Sequence, residues 1–98
     1  MKRADTILVL QRRADAIRRL GAVSMYMFGS TARDEATDTS DIDLFIDYDP
    51  SSRFSLFDLA GIKSFLEDEL RAHVDLTTRD SLHPLIKGDI ESGAIRIF

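Results

Sequence analysis

The sequence predicts an α/β fold in which a small mixed β-sheet is covered by helices. Two observations carry this. Short apolar runs rich in strand formers alternate with longer stretches whose apolar residues recur at steps of three and four, the signature of strands laid against amphipathic helices. The first two runs are separated by a loop of hairpin length, so those strands are expected to pair antiparallel. With 98 residues and 44% hydrophobic content, the chain is expected to form one domain, residues 1–98, around a modest core.

From Ala4 to Leu20, Ile7, Leu10, Ala14 and Ile17 form one apolar stripe, and Gly21 is a natural stop, so this stretch is expected to be a helix. Its arginines fall mostly on other faces and read as a solvated surface. Val23 to Phe28 is the first strand. Gly29-Ser30 then opens a helical turn expected over Thr31 to Ala36, and Asp34, Glu35, Asp38 and Thr39 form an exposed acidic loop. The second strand runs from about Ile42 to Tyr48 and ends at the turn signal Asp49-Pro50-Ser51-Ser52.

A long helix is expected over Leu56 to Arg71, with Ser55 and Asp58 as a capping box and Leu59, Ile62, Leu66 and Leu70 inward, supported by Phe65. Phe54 and Phe57 near its start suit a staple or an exposed apolar patch. His73 to Thr78 is a short strand. Ser81 to Glu91 reads as a further helix with Pro84 in its first turn, Gly93 closing it, and Leu82, Leu85, Ile86 and Ile90 inward. Ile95 to Phe98 suits a last edge strand.

Composition narrows the function. Thirteen basic against seventeen acidic side chains give a formal charge of -4, which argues against nucleic acid as the main partner. The chain has no cysteine, hence no disulfide frame or thiolate metal site. Its apolar run Ile7 to Leu10 is too short for a signal or a membrane span, so a cytoplasmic protein is expected.

The chemistry concentrates between Met25 and Tyr48. Residues two apart in a strand point to one face, so Asp41 and Asp43 should project side by side at the mouth of the second strand. Adjacent carboxylates repel one another and resist desolvation, and a divalent cation is the usual compensation. Hard oxygen ligands suit Mg²⁺. Backbone N–H groups at the Gly29-Ser30 turn, with no Cβ at Gly29, form a ready anion site. Asp75, between Val74 and Leu76, adds a third carboxylate on the next strand.

The run GSTARDEATDTSDIDL, with Val-Asp-Leu on the third strand, resembles the nucleotidyltransferase superfamily typified by DNA polymerase β. The match is better still with its minimal prokaryotic members, the MNT proteins that serve as antitoxins of HEPN–MNT toxin–antitoxin pairs. The resemblance covers nearly the whole chain and implies the polymerase β-like nucleotidyltransferase fold. It also implies that Asp41, Asp43 and Asp75 are the catalytic, metal-binding carboxylates, while Gly29, Ser30, Thr31 and Arg33 hold the phosphates of the nucleotide.

In that family two Mg²⁺ ions accompany bound ATP, Asp41 and Asp43 bridge them, and Asp75 helps deprotonate the acceptor hydroxyl. The acceptor implied is a tyrosine of a partner HEPN ribonuclease toxin, which is adenylylated and loses its ribonuclease activity; a hetero-oligomer with that toxin is expected. Two departures stand out. Asp34 occupies a place where glycine commonly follows the arginine. The sequence also carries no C-terminal helical domain like those by which larger relatives hold their acceptors, so acceptor recognition is expected to need a second protein.

Plainer readings exist for several residues. Asp41 suits a loop cap, and Arg33 suits an ion pair with Glu35 or Asp38. His73 and His83 read as structural or surface residues, and Tyr26 and Tyr48 as packing aromatics. Rival functions are a binding module that neutralises the toxin by contact, and nucleotidyl transfer to tRNA or a small-molecule hydroxyl.

Overall fold

The computed structural model describes residues 2–35 and 41–98. The chain folds in the order α1 (Arg3–Arg12), α2 (Ala14–Arg19), β1 (Ala22–Phe28), α3 (Gly29–Ala32), β2 (Ile42–Tyr48), α4 (Leu56–Leu70), β3 (Val74–Thr78), a 3-10 turn (Arg79–Ser81), α5 (Pro84–Gly93) and β4 (Ile95–Arg96). The sheet order is β3-β2-β1-β4, with β1 antiparallel to both β2 and β4 and β2 parallel to β3. The expected mixed sheet and the antiparallel first pair are therefore present.

Strand alternation gives the sheet two unlike faces. Met25, Met27, Leu44 and Ile46, all fully buried, line one of them, and Leu10 and Ile17 of the N-terminal helices and Ile62, Leu66 and Leu70 of α4 join them in one core. The other face carries Ser24, Tyr26 and Phe28 on β1 against Asp47, Phe45 and Asp43 on β2. Helix α5 lies on this second face and packs against β1 and α3.

The expected single N-terminal helix is two helices. The break at Arg13 is mild: its amide is shared between the carbonyls of Val9 at 3.2 Å and Leu10 at 3.1 Å, a local tightening to the 3-10 pattern. Arg13 also reaches Glu69 of α4 at 2.8 Å, a tertiary contact without local sequence signal. The short helix starts at Gly29 rather than Thr31. The expected stretch to Ala36, and the loop residues Asp38 and Thr39, run beyond the described residues.

Helix α4 matches its expected span to within a residue, because Arg71 is the left-handed C-cap at φ 50°. Its capping box forms, with the Ser55 amide donating to Asp58 at 2.8 Å. Phe54 stacks on Tyr48 with ring centroids 4.9 Å apart, while Phe57 is 90% exposed.

Helix α5 departs from expectation. It begins at Pro84, with His83 accepting from the Leu85 amide at 3.1 Å, and of its expected inward set Leu85 is 86% and Ile86 50% exposed. Glu91 of this helix faces the sheet instead, accepting from Arg79 at 2.7 Å. No helix among the described residues is long and apolar enough to cross a membrane.

Candidate active site

The end of the sheet where β1 stops and β2 and β3 begin gathers the chemistry. Phe28 is the Cα partner of Asp43, and Asp43 is the Cα partner of Asp75 across the parallel pair. Neighbouring strands lie about 4.8 Å apart, so the two aspartates sit side by side on the same face. Asp41 precedes β2 and is exposed. The order across this end of the sheet is Gly29 after β1, Asp43 on β2 and Asp75 on the edge strand β3.

The electrostatics follow from that crowding. Burial raises the carboxyl of Asp43 above its ordinary value, and the charges of Asp75 and then Asp41 raise it further; Arg33 opposes them. Both neighbours thus act on Asp43, and a cation is what their combined charge lacks. Among the described residues no three His, Cys, Asp or Glu side chains form a ready-made cation cage. The donors that meet here are nevertheless hard carboxylate oxygens, which suit a hard divalent cation such as Mg²⁺.

Gly29 is fixed by this geometry. Its φ of 74° is left-handed, and a Cβ there would collide with the Asp43 carboxylate and stand 3.2 Å from its Cγ. Only glycine lets the turn close over that side chain. Ser30 follows, and Thr31 is 1% exposed with its hydroxyl unpartnered among the described residues. The first amides of α3 lack intrahelical partners, as in any helix start, and so are donors available to an anion.

Arg33 pairs with Glu35 at 3.0 Å, as its plainer reading expected, with both side chains exposed. Beside the turn opens a cleft of about 300 Å³, lined by Phe28, Gly29, Arg33, Asp89, Ile90 and Gly93. Asp34 stands at φ 60°, in the left-handed region that glycine fills without strain. That is a backbone reason for the glycine expected at this place.

One network escaped the sequence reading. Arg79, just past β3, donates to Asp47 at 2.8 and 3.0 Å and to Glu91 at 2.7 Å, and its guanidinium covers the rings of Tyr26 at 4.7 Å and Phe45 at 5.0 Å. Ser24 adds a hydrogen bond to Asp47 at 2.6 Å. The available signal was the period of two, which puts Asp47 on the face of Asp43 and Phe45. No pattern pointed to Arg79.

Residues 10–97 match the model of the nucleotidyltransferase domain family. The chain belongs to that family. This nucleotidyltransferase is 46% identical over 75 residues to "Putative protein adenylyltransferase MJ0126" of Methanocaldococcus jannaschii, covering 76% of this chain and 74% of that protein. A second protein of that organism, named likewise as MJ1217, is 45% identical over 75 residues, with 76% and 74% covered.

Among solved structures, one described as a "putative minimal nucleotidyltransferase" superposes with a TM-score of 0.76 at 32% identity, over 97% of this chain and 95% of that one. A toxin–antitoxin complex with AMP-PNP gives 0.72 at 16% identity, covering 90% and 72%. A complex of tri-AMPylated Shewanella oneidensis HEPN toxin with MNT antitoxin gives 0.66 at 15% identity, covering 94% and 71%. At those identities the last two bear on the fold alone, and the fold is the expected one.

Proposed function

We propose that this nucleotidyltransferase is a Mg²⁺-dependent protein adenylyltransferase that moves AMP from ATP to a tyrosine hydroxyl of a partner HEPN ribonuclease toxin, and so acts as its antitoxin. The observation that carries the reading is the register of Asp43 against Asp75 beside the Gly29 turn. The relatives named protein adenylyltransferases and the neighbour bound to an AMPylated HEPN toxin support the choice of nucleotide and acceptor.

Adenylylation breaks the bond between the α-phosphorus and the β-phosphate oxygen and forms one to the tyrosine oxygen. Pyrophosphate leaves opposite the incoming hydroxyl. The leaving group belongs at the Gly29-Ser30 turn, where the amides of Ser30 and Thr31 hold its oxygens and Arg33 adds positive charge. The acceptor belongs on the other side, at β3, where Asp75 takes the hydroxyl proton. Asp41, Asp43 and Asp75 would hold Mg²⁺, which when bound neutralises charge on the attacking and leaving oxygens.

The test is transfer of label from ATP to a purified HEPN partner, with Mg²⁺ present. Label should appear with the wild-type chain and vanish with Asp43→Asn; equal labelling by the variant would remove the catalytic assignment.

Neutralisation by contact is the second reading, and the exposed Leu56 (82%), Phe57 (90%) and Leu85 (86%) favour it. A chain with both Asp41→Asn and Asp43→Asn separates the two. Contact inhibition survives that change, whereas adenylylation does not.

A further inference from the structure

We propose that the outer edge of β3 is the docking element for the acceptor, which pairs with it as an added strand and so sets its tyrosine beside Asp75. This rests on the transfer reading above and adds to it where the acceptor binds and in what conformation. Strand β3 ends the sheet, with β2 on one side only. The Ile42 amide donates to the His73 carbonyl at 2.9 Å, which fixes the backbone phase of the strand. Successive residues turn their backbone groups to alternate sides. Asp75 and Thr77 therefore bond toward β2, while Val74, Leu76 and Thr78 present theirs outward.

The Val74 amide agrees with this phase, since it turns away from β2 and donates to the Glu67 carboxylate at 3.0 Å. Beyond that one covered donor, the Leu76 N–H and C=O have no hydrogen-bond partner among the described residues. Val74–Thr78 contains no proline, lysine or bulge, and its register runs unbroken from Ile42↔Val74 to Ile46↔Thr78.

Position gives this edge its meaning. The leaving group lies toward β1 and the hydroxyl must arrive from the opposite side, which is where the free edge lies. A strand added there sits about 4.8 Å beyond β3, and alternate residues of it share the face of Asp75 and Asp43. A tyrosine opposite Asp75 then stands on the carboxylate face, while backbone pairing with Leu76 holds its segment extended. The opposite edge, β4, has two residues, Ile95–Arg96, and lies on the β1 side, away from Asp75.

The test is amide hydrogen exchange of the native chain, with and without a purified HEPN partner, in Mg²⁺ and α,β-methylene-ATP, whose carbon bridge between the α- and β-phosphates cannot be broken by transfer. The Leu76 amide should exchange fast in the free chain and at least about tenfold more slowly in the complex. The Leu76→Pro variant, which lacks that N–H, should lose transfer to the protein acceptor while binding ATP normally; if it fails to fold, the exchange result on the native chain decides. Label transfer by the wild-type chain with unchanged exchange at Leu76 overturns edge docking and leaves the transfer reading standing. Absence of any label transfer overturns both.

Discussion

The guanidinium of Arg79 and the carboxylate of Asp47 meet in a two-point contact, Nε to Oδ1 at 2.8 Å and Nη2 to Oδ2 at 3.0 Å. The same guanidinium bonds Glu91 of α5, so one side chain fastens that helix to the face of the sheet that carries Tyr26 and Phe45. Arg79→Ala leaves two carboxylates and two ring faces uncovered. Its expected effect on stability is a loss of about 1–3 kcal/mol, between the values for exposed and buried pairs, read by urea unfolding. Arg79→Lys should recover only part, because a lysine cannot make the two-point contact.

The same pair sets an acid dependence. Burial pushes the Asp47 carboxyl up, but the hydrogen bonds from Arg79 and Ser24, with the Arg79 charge, outweigh it and leave Asp47 below its ordinary value. A carboxylate lowered in the folded state contributes stability above its unfolded value, and that contribution fades as pH falls through the folded one. The stability gap between wild type and Arg79→Ala should therefore be full near pH 6 and shrink as the pH drops below about 4.

Asp43 has the opposite sign. Its carboxyl is raised in the folded chain, so ionising it works against folding, and the penalty is present once the pH exceeds the folded value. Asp43→Asn should raise the melting temperature of the metal-free protein at pH 7, a gain that disappears below about pH 4. The same variant should lower label transfer by about 10²–10⁴-fold, the equivalent of several kcal/mol of lost charge stabilisation. A stabilised but inactive variant is the expected pair of results from thermal melts and transfer assays.

Gly29→Ala puts a methyl group where the Asp43 carboxylate stands and holds alanine at a left-handed φ. The backbone part alone is expected to cost about 1–2 kcal/mol. Displacement of Asp43 should lower kcat by roughly 10²-fold, on the scale of a 1 Å misplacement. Ser30→Ala, which keeps the backbone turn, should lower kcat far less.

Asp34→Gly tests the converse. Asp34 occupies φ 60°, so glycine should relieve strain and stabilise the chain by about 0.5–1 kcal/mol after the extra freedom of the unfolded glycine is counted. Equilibrium unfolding measures it directly.

What the sequence disclosed is what local chemistry determines. Period-two alternation gave β2 its bounds and put Asp43 on the face opposite Leu44. The serine and acid three apart marked the start of α4. The rotation of α5 was not legible, because Leu85 and Ile86 look inward by periodicity, whereas in the fold they face solvent and Glu91 meets Arg79. The Arg79 network was hidden for the same reason, since it joins residues far apart in the chain with no spacing to betray them. The break at Arg13 is a local tightening that the unbroken apolar stripe does not mark.

The parallel pairing of β2 with β3 carries a consequence for the birth of the protein. A nascent chain that has emerged only through Tyr48 holds Gly29, Asp41 and Asp43 but lacks their neighbour on β3. Asp75 reaches Asp43 only after α4 has crossed back over the sheet, a non-local closure of the slow kind in folding. With the role proposed for Asp75, transfer waits on that closure, and the onset of nucleotide transfer during synthesis would serve as a clock for the crossing that brings β3 beside β2.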